Sequence, residues 1–167
     1  LKELNLRWNA FADFPEVVTE ISQLERLTLD FNKLKNIPAS IGKLSQLQYL
    51  KLSGNQLLAL PNAIGNLQEL LQLDLSDNHF RALPREIGTL ANLEILDLGN
   101  NQITRIDKDR MNQLIKDRQI NTISELPDNL HKLTQLKTLD LVGNQLTHLP
   151  SEVSKIKSLS TIDLSAN

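Results

Sequence analysis

The stretch Leu24-Glu25-Arg26-Leu27-Thr28-Leu29-Asp30-Phe31-Asn32 decides the fold. Leu27 and Leu29 alternate with Arg26 and Thr28, which is the pattern of a short strand with one buried face. Asn32 stands where the chain leaves that strand. Its amide carries two donors and an acceptor, enough to satisfy turn backbones that would otherwise be buried without partners. Leu34 and Ile37 then point back inward, and Pro38 fixes φ and ends the extended run. Ile41 and Leu44 supply the last inward positions, on an irregular or short helical return where Gly42 is expected to allow a tight turn.

The same frame, L-x-x-L-x-L-x-x-N, begins at Leu1, Leu24, Leu47, Leu70, Leu93, Leu136 and Leu159. It closes at Asn9, Asn32, Asn55, Asn78, Asn101, Asn144 and Asn167, and the starts are spaced 23, 23, 23, 23, 43 and 23 residues apart. A second constant half, x-L-x-x-L-P-x-x-I-G-x-L, follows each asparagine but the last. Its prolines, Pro15, Pro38, Pro61, Pro84, Pro127 and Pro150, are all six prolines of the chain. No such unit can bury its apolar face alone, so stability has to come from stacking neighbours. One strand per repeat then stacks in parallel at ~4.8 Å.

These motifs resemble the leucine-rich repeat family over the whole chain. The form is the 23-residue LPxxIGxL type of bacterial proteins and of intracellular Ras-group and plant relatives. The resemblance implies one α/β domain over residues 1–167, a curved right-handed solenoid of seven strand-bearing repeats whose parallel sheet lines a concave surface. It also implies a protein–protein interaction module, not an enzyme, within a bacterial effector or surface protein that acts on a host protein. Two alternatives remain open. One is the substrate-recognition arm of a ubiquitin-ligase-like or kinase-like enzyme, and the other is a Ras-pathway-type scaffold.

Composition removes other classes. Without cysteine there is no disulfide framework, thiolate metal site or cysteine nucleophile. Lys and Arg number 18 against 20 Asp and Glu, so no overall field draws the chain to nucleic acid or to an anionic membrane. No apolar run approaches the ~18 residues that would insert into a bilayer. The hydrophobic share of 40% suffices for a core, and with aromatics at 4% that core is built from Leu and Ile. The chain lacks Asn-x-Ser/Thr as well as cysteine, which leans away from a eukaryotic secreted domain. A bacterial protein is expected, either cytoplasmic or delivered into a host cell, and monomeric. Leu1 and Asn167 both lie inside repeats without a polar cap, so a fragment of a longer protein is expected.

The 43-residue interval holds 20 extra residues. Asp107 replaces the expected proline and can cap a short helix, whose apolar face would be Met111, Leu114 and Ile115 at i, i+3, i+4 spacing. The positions that would have to line a core as a strand are Gln113, Lys116 and Arg118. The insertion, about residues 107–120, is therefore expected to leave the sheet uninterrupted, with the strand at 96–98 next to that at 139–141. It reads as a tolerated surface insertion, or alternatively as a docking element.

The outward strand positions define the candidate binding surface. Trp8, Phe31 and Tyr49 fall on three consecutive repeats, flanked by Arg7 and Arg26 with Lys51 nearby. Trp, Tyr and Arg dominate binding hot spots. Asp74, Asp97, Asp140 and Asp163 form a second feature, a ladder able to steer a basic partner. The partner is expected to be another protein. Carboxylates spaced one per strand give too few oxygens at one point for Ca²⁺, so no metal site is expected. His79, His131 and His148 occupy different repeat positions and read as surface residues. Neither a Gly-rich phosphate loop, a nucleophile elbow nor HExxH occurs, so no catalytic residue and no cofactor is assigned.

Overall fold

The computed structural model describes residues 1–101, 126–144, 146, 149 and 151–167. Its strands are β1 (Glu3–Asn5), β2 (Arg26–Thr28), β3 (Tyr49–Lys51), β4 (Gln72–Asp74), β5 (Ile95–Asp97), β6 (Thr138–Asp140) and β7 (Thr161–Asp163). They form one parallel sheet in the order of the chain. The register never slips: Leu4, Leu27, Leu50, Leu73, Leu96, Leu139 and Ile162 face one another across the seven strands. A slip of one residue would turn this buried row to solvent, so the leucine pattern fixes the pairing.

Each return carries a 3₁₀ helix, at Glu16–Glu20, Ala39–Lys43, Asn62–Asn66, Arg85–Thr89, Leu130–Lys132 and Ser151–Lys155. Pro15, Pro38, Pro61 and Pro84 stand directly before the first four, in extended backbone with φ between -66 and -73°. The ring ends the extended run and presets the φ from which the turn begins. Between sheet and returns lies one continuous core. Leu27, Leu50, Leu73, Leu96 and Leu139 of the strands and Ile41, Ile64 and Ile87 of the returns are fully excluded from solvent.

The asparagines bind the repeats edge to edge. Asn55 Nδ2 donates to the carbonyl of Leu52 in its own repeat (2.9 Å) and to that of Leu29 in the one before (3.0 Å). Its Oδ1 accepts the N–H of Leu34 (3.1 Å). Asn32 and Asn78 repeat the pattern with their own neighbours. Buried backbone groups at the turn are thus paired across each junction.

Gly42 serves a different purpose from the tight turn expected of it. A Cβ there would lie 2.9 Å from the Ala63 carbonyl oxygen and 2.9 Å from Asn66 Nδ2. The next return packs directly against its Cα, so the requirement is close approach, not left-handed backbone.

The expected helix within about 107–120 lies outside the described residues. What the insertion leaves intact is clear: β5 and β6 pair directly, Leu96 opposite Leu139, although 43 residues separate them. The adjacent strands lie one residue N-terminal of the expected bounds. Deleting residues 107–126 restores the 23-residue period and is expected to leave a folded solenoid with one cooperative urea transition. A broadened or multiphasic transition would make the insertion a structural part of the array.

Candidate functional site

The solvent-facing side of the sheet and the turn after each strand bring the N-terminal candidates together. Trp8 and Phe31 stack in parallel, with ring centroids 4.1 Å apart and an interplanar angle of 6°. The Arg7 guanidinium lies 5.6 Å from the Trp8 centroid and 5.1 Å from that of Phe31. Arg26 in β2 covers Tyr49 in β3 at 4.1 Å. Each contact holds a cation over an aromatic face, worth about 0.5–1 kcal/mol at exposed sites. Trp8 is 68% exposed in this chain despite its stack.

The backbone explains this shelf. Trp8 and Phe31 have φ of 58° and 53°, in the left-handed region. Gly54 holds the same place one repeat later at φ 66°, and a Cβ on it would fall 2.5 Å from the Phe31 ring. Phe31 is therefore seated between the Trp8 indole and the bare Cα of Gly54. A bulky residue at positive φ costs about 1–3 kcal/mol. Trp8 and Phe31 accept that cost, while Asp77, Asn100 and Ala166 hold the same conformation in their own repeats.

The acidic candidates form a separate patch. Asp74, Asp97 and Asp140 pair in register across β4, β5 and β6. Each turns Oδ1 to the backbone N–H two residues on, Ser76 (3.1 Å), Gly99 (2.9 Å) and Val142 (2.9 Å) respectively. Asp97 is in the middle. Burial, then the neighbouring charges of Asp74, Asp140 and Asp77, push its carboxyl up to about 6, against the lowering effect of the Gly99 N–H. Asp163, at the open edge, is held below its ordinary value by hydrogen bonds from Ser165. Lys51 is half-buried in β3, beside Asp74 in register, and links the two patches.

Asp97 has a pH signature. Its carboxyl titrates higher in the fold than in the unfolded chain, so the folded state holds more protons between pH ~4 and ~6 and stability falls as pH rises through that window. Asp97→Asn keeps the Oδ1 acceptor for Gly99 and removes the charge. Once solvent screening is allowed for, it is expected to stabilise by roughly 1–2 kcal/mol at pH 7 and to change nothing near pH 4. Thermal melts at both pH values check this; an equal shift at both would remove the electrostatic cause.

Sequence reasoning missed Asp30. It is buried, and its Oδ1 accepts the Ser53 N–H at 3.1 Å. Burial and then Asp74 raise its pKa, although Ser53, Lys51 and Arg7 pull the other way. The available signal was its place in a column that holds Ser53, Ser76 and Ser165 in other repeats. Of the histidines, His131 shares a hydrogen bond with the Asp128 carbonyl (3.0 Å), and His79 is half-buried with Nδ1 shielded from solvent, unlike the surface position expected of it. His148 lies outside the described residues. Among the described residues no group of three His, Cys, Asp or Glu is placed to hold a metal, and no helix is long and apolar enough to cross a membrane.

Comparison with known proteins agrees with this architecture. Leucine rich repeat models match residues 22–80, 68–109 and 135–156. The chain belongs to the leucine-rich-repeat family, whose domains are in general interaction modules. Among solved structures, a leucine-rich-repeat protein of Leptospira interrogans is 33% identical over 100% of the chain (TM-score 0.59). The ectodomain of the Arabidopsis thaliana receptor kinase GASSHO1/SCHENGEN3, solved with CASPARIAN STRIP INTEGRITY FACTOR 2, is 30% identical over 91% (TM-score 0.70). The plant peptide hormone receptor RGFR1, solved with RGF2, is 28% identical over 98% (TM-score 0.74). The chain spans 49%, 17% and 24% of these three proteins. No curated protein matches it.

Proposed function

We propose that this chain is a protein-recognition module that binds its partner on the open, concave face of the sheet. The observation that carries the reading is the Trp8–Phe31 shelf, an exposed aromatic stack held in strained backbone beneath Arg7. Arg7, Arg26, Tyr49 and Lys51 extend the surface, and Asp74, Asp97 and Asp140 form its acidic half. A surface built on a rigid sheet needs little ordering on association, which reduces the entropic cost. Peptide-bound ectodomains among the structural neighbours support recognition of a protein or peptide segment. The match of the whole chain to 49% of a Leptospira interrogans leucine-rich-repeat protein supports a bacterial parent, and its target is taken to be a host protein. The module acts as a monomer.

Affinity capture with mass spectrometry tests this reading, using host-cell and bacterial lysates. The wild-type chain is compared with a Trp8→Ala/Phe31→Ala/Tyr49→Gln variant. The replacements suit their sites, since Ala166 adopts φ 59° in the Trp8 column and Gln72 follows Tyr49 in register. A protein retained by wild type and lost by the folded variant is the expected result. Equal retention by both would remove the shelf from the binding surface.

A further inference from the structure

The open face of the sheet is electrically divided. Over the first three repeats its outward positions carry Arg7, Arg26 and Lys51, against Glu3 and the buried Asp30. Over the remaining repeats the same columns carry Asp74, Asp77, Asp97, Asp140 and Asp163 and no Lys or Arg. The direct register of β1 to β7 places these residues on one continuous surface.

Within the acidic half, two carboxylates differ from the rest. Ser76 Oγ donates to Asp74 Oδ1 at 2.7 Å, and Ser165 serves Asp163 in the same way. Asp97 and Asp140 have Gly99 and Val142 at the equivalent place, so neither has a hydroxyl there. A Cβ on Gly99 would lie 3.2 Å from Asp97 Oδ1 and 3.3 Å from Asp140 Oδ1. The bare Cα of Gly99 thus leaves a notch no wider than a methyl group between two adjacent carboxylates, where a nitrogen would lie at hydrogen-bond distance from both. The groups acting on Asp97 from β4 and β6 and the turn after β4 are Asp74, Asp140 and Asp77, all of its own sign.

We propose that the partner presents an extended bipolar segment laid across the strands, with its acidic end over Arg7, Arg26 and Lys51 and its basic end in the notch between Asp97 and Asp140. This rests on the reading of the open face as the binding surface. Strand spacing sets the length. From β2 to β5 is three steps of ~4.8 Å, about 14 Å, which an extended chain at ~3.3 Å per residue covers in about four residues. Reaching Arg7 adds one step, so the opposite charges of the segment lie about four to six residues apart. A guanidinium or ammonium in the notch supplies the side-chain donors that Gly99 and Val142 lack, and it meets two carboxylates instead of one. Charge order across the face fixes how the segment lies, since like charges would oppose each other in the reverse placement.

Synthetic peptides on the whole chain test this by fluorescence anisotropy. One carries two aspartates, a three-residue Gly/Ser spacer and two arginines, which sets its opposite charges about four to six residues apart. Its isomer has the same composition with the charges alternating. The block peptide is expected to bind up to about fivefold tighter than the isomer, the ratio that a net gain of one exposed charge pair gives. Its affinity is expected to rise between pH 5 and pH 7.5 as Asp97 loses its proton, and this rise is expected to disappear in Asp97→Asn/Asp140→Asn, which keeps the Oδ1 acceptors. Equal affinity for the two isomers, no saturable binding by either, or an unchanged affinity in the double variant would overturn the proposal. Capture of a partner through Trp8 and Phe31 alongside any of those results would leave the recognition module standing and remove only its bipolar ligand.

Discussion

Replacing Asn55 by alanine is expected to lower stability by about 3 kcal/mol. The substitution removes the donor that serves the Leu29 and Leu52 carbonyls and the acceptor that serves the Leu34 N–H. All three backbone groups sit where water does not reach, and leaving even one buried group unpaired costs about 1–3 kcal/mol. Asn9 is the internal control. It has the same place in the first repeat and donates to the Leu6 and Arg7 carbonyls, but it is exposed. Water replaces those bonds, so Asn9→Ala is expected to cost less than about 1 kcal/mol. Urea midpoints of the two variants decide the matter. Similar shifts in both would mean that the asparagines contribute through turn propensity alone.

The second large effect is Leu73→Ala, also about 3 kcal/mol within a range of 2–5. Leu73 is fully buried in β4, with Leu50 on one side and Leu96 on the other. Neighbouring repeats are held on both sides by paired strands and stacked returns, so collapse around the cavity is limited and the full penalty is expected. Leu4→Ala, in β1 with a neighbour on one side only and partly exposed, is expected to cost less than half as much. For a chain of this size the Leu73 variant corresponds to a fall in Tm of about 6–12 °C. If the terminal variant fell equally far, stability would not be distributed repeat by repeat as stacking requires.

The repeat skeleton was legible because it depends on spacing alone. Leucines two apart gave the strands, the common frame gave the register, and Asn32 and its equivalents announced the ladder before any distance was known. The interval of 43 residues still predicted that β5 and β6 adjoin. Other features depend on what the neighbouring repeat brings and could not be read within one frame. Gly42 looked like a turn glycine because nothing in its own repeat reveals that Ala63 presses against it. Trp8, Phe31 and Tyr49 were recognised as a group, but the stack joins only the first two, while Tyr49 pairs with Arg26. That partition follows from side-chain direction across repeats. The raised pKa of Asp97 likewise comes from burial among its neighbours and from Asp74 and Asp140 at its sides. Each is a lateral property, and a one-dimensional pattern describes the chain lengthwise.

The left-handed position before each asparagine has a consequence for how such a surface changes over generations. Trp8, Phe31, Gly54, Asp77, Asn100, Gly143 and Ala166 share one backbone conformation there despite having little chemistry in common. The ladder beside them sets the path of the chain, so the residue that occupies the position does not. It acts as a row of sockets along the rim, one per repeat, each already wired into the frame and limited only by the room its neighbour leaves, as Phe31 leaves none beside Gly54. A single codon can swap an indole for a carboxylate without rerouting the main chain, and specificity can drift socket by socket while the scaffold stays fixed.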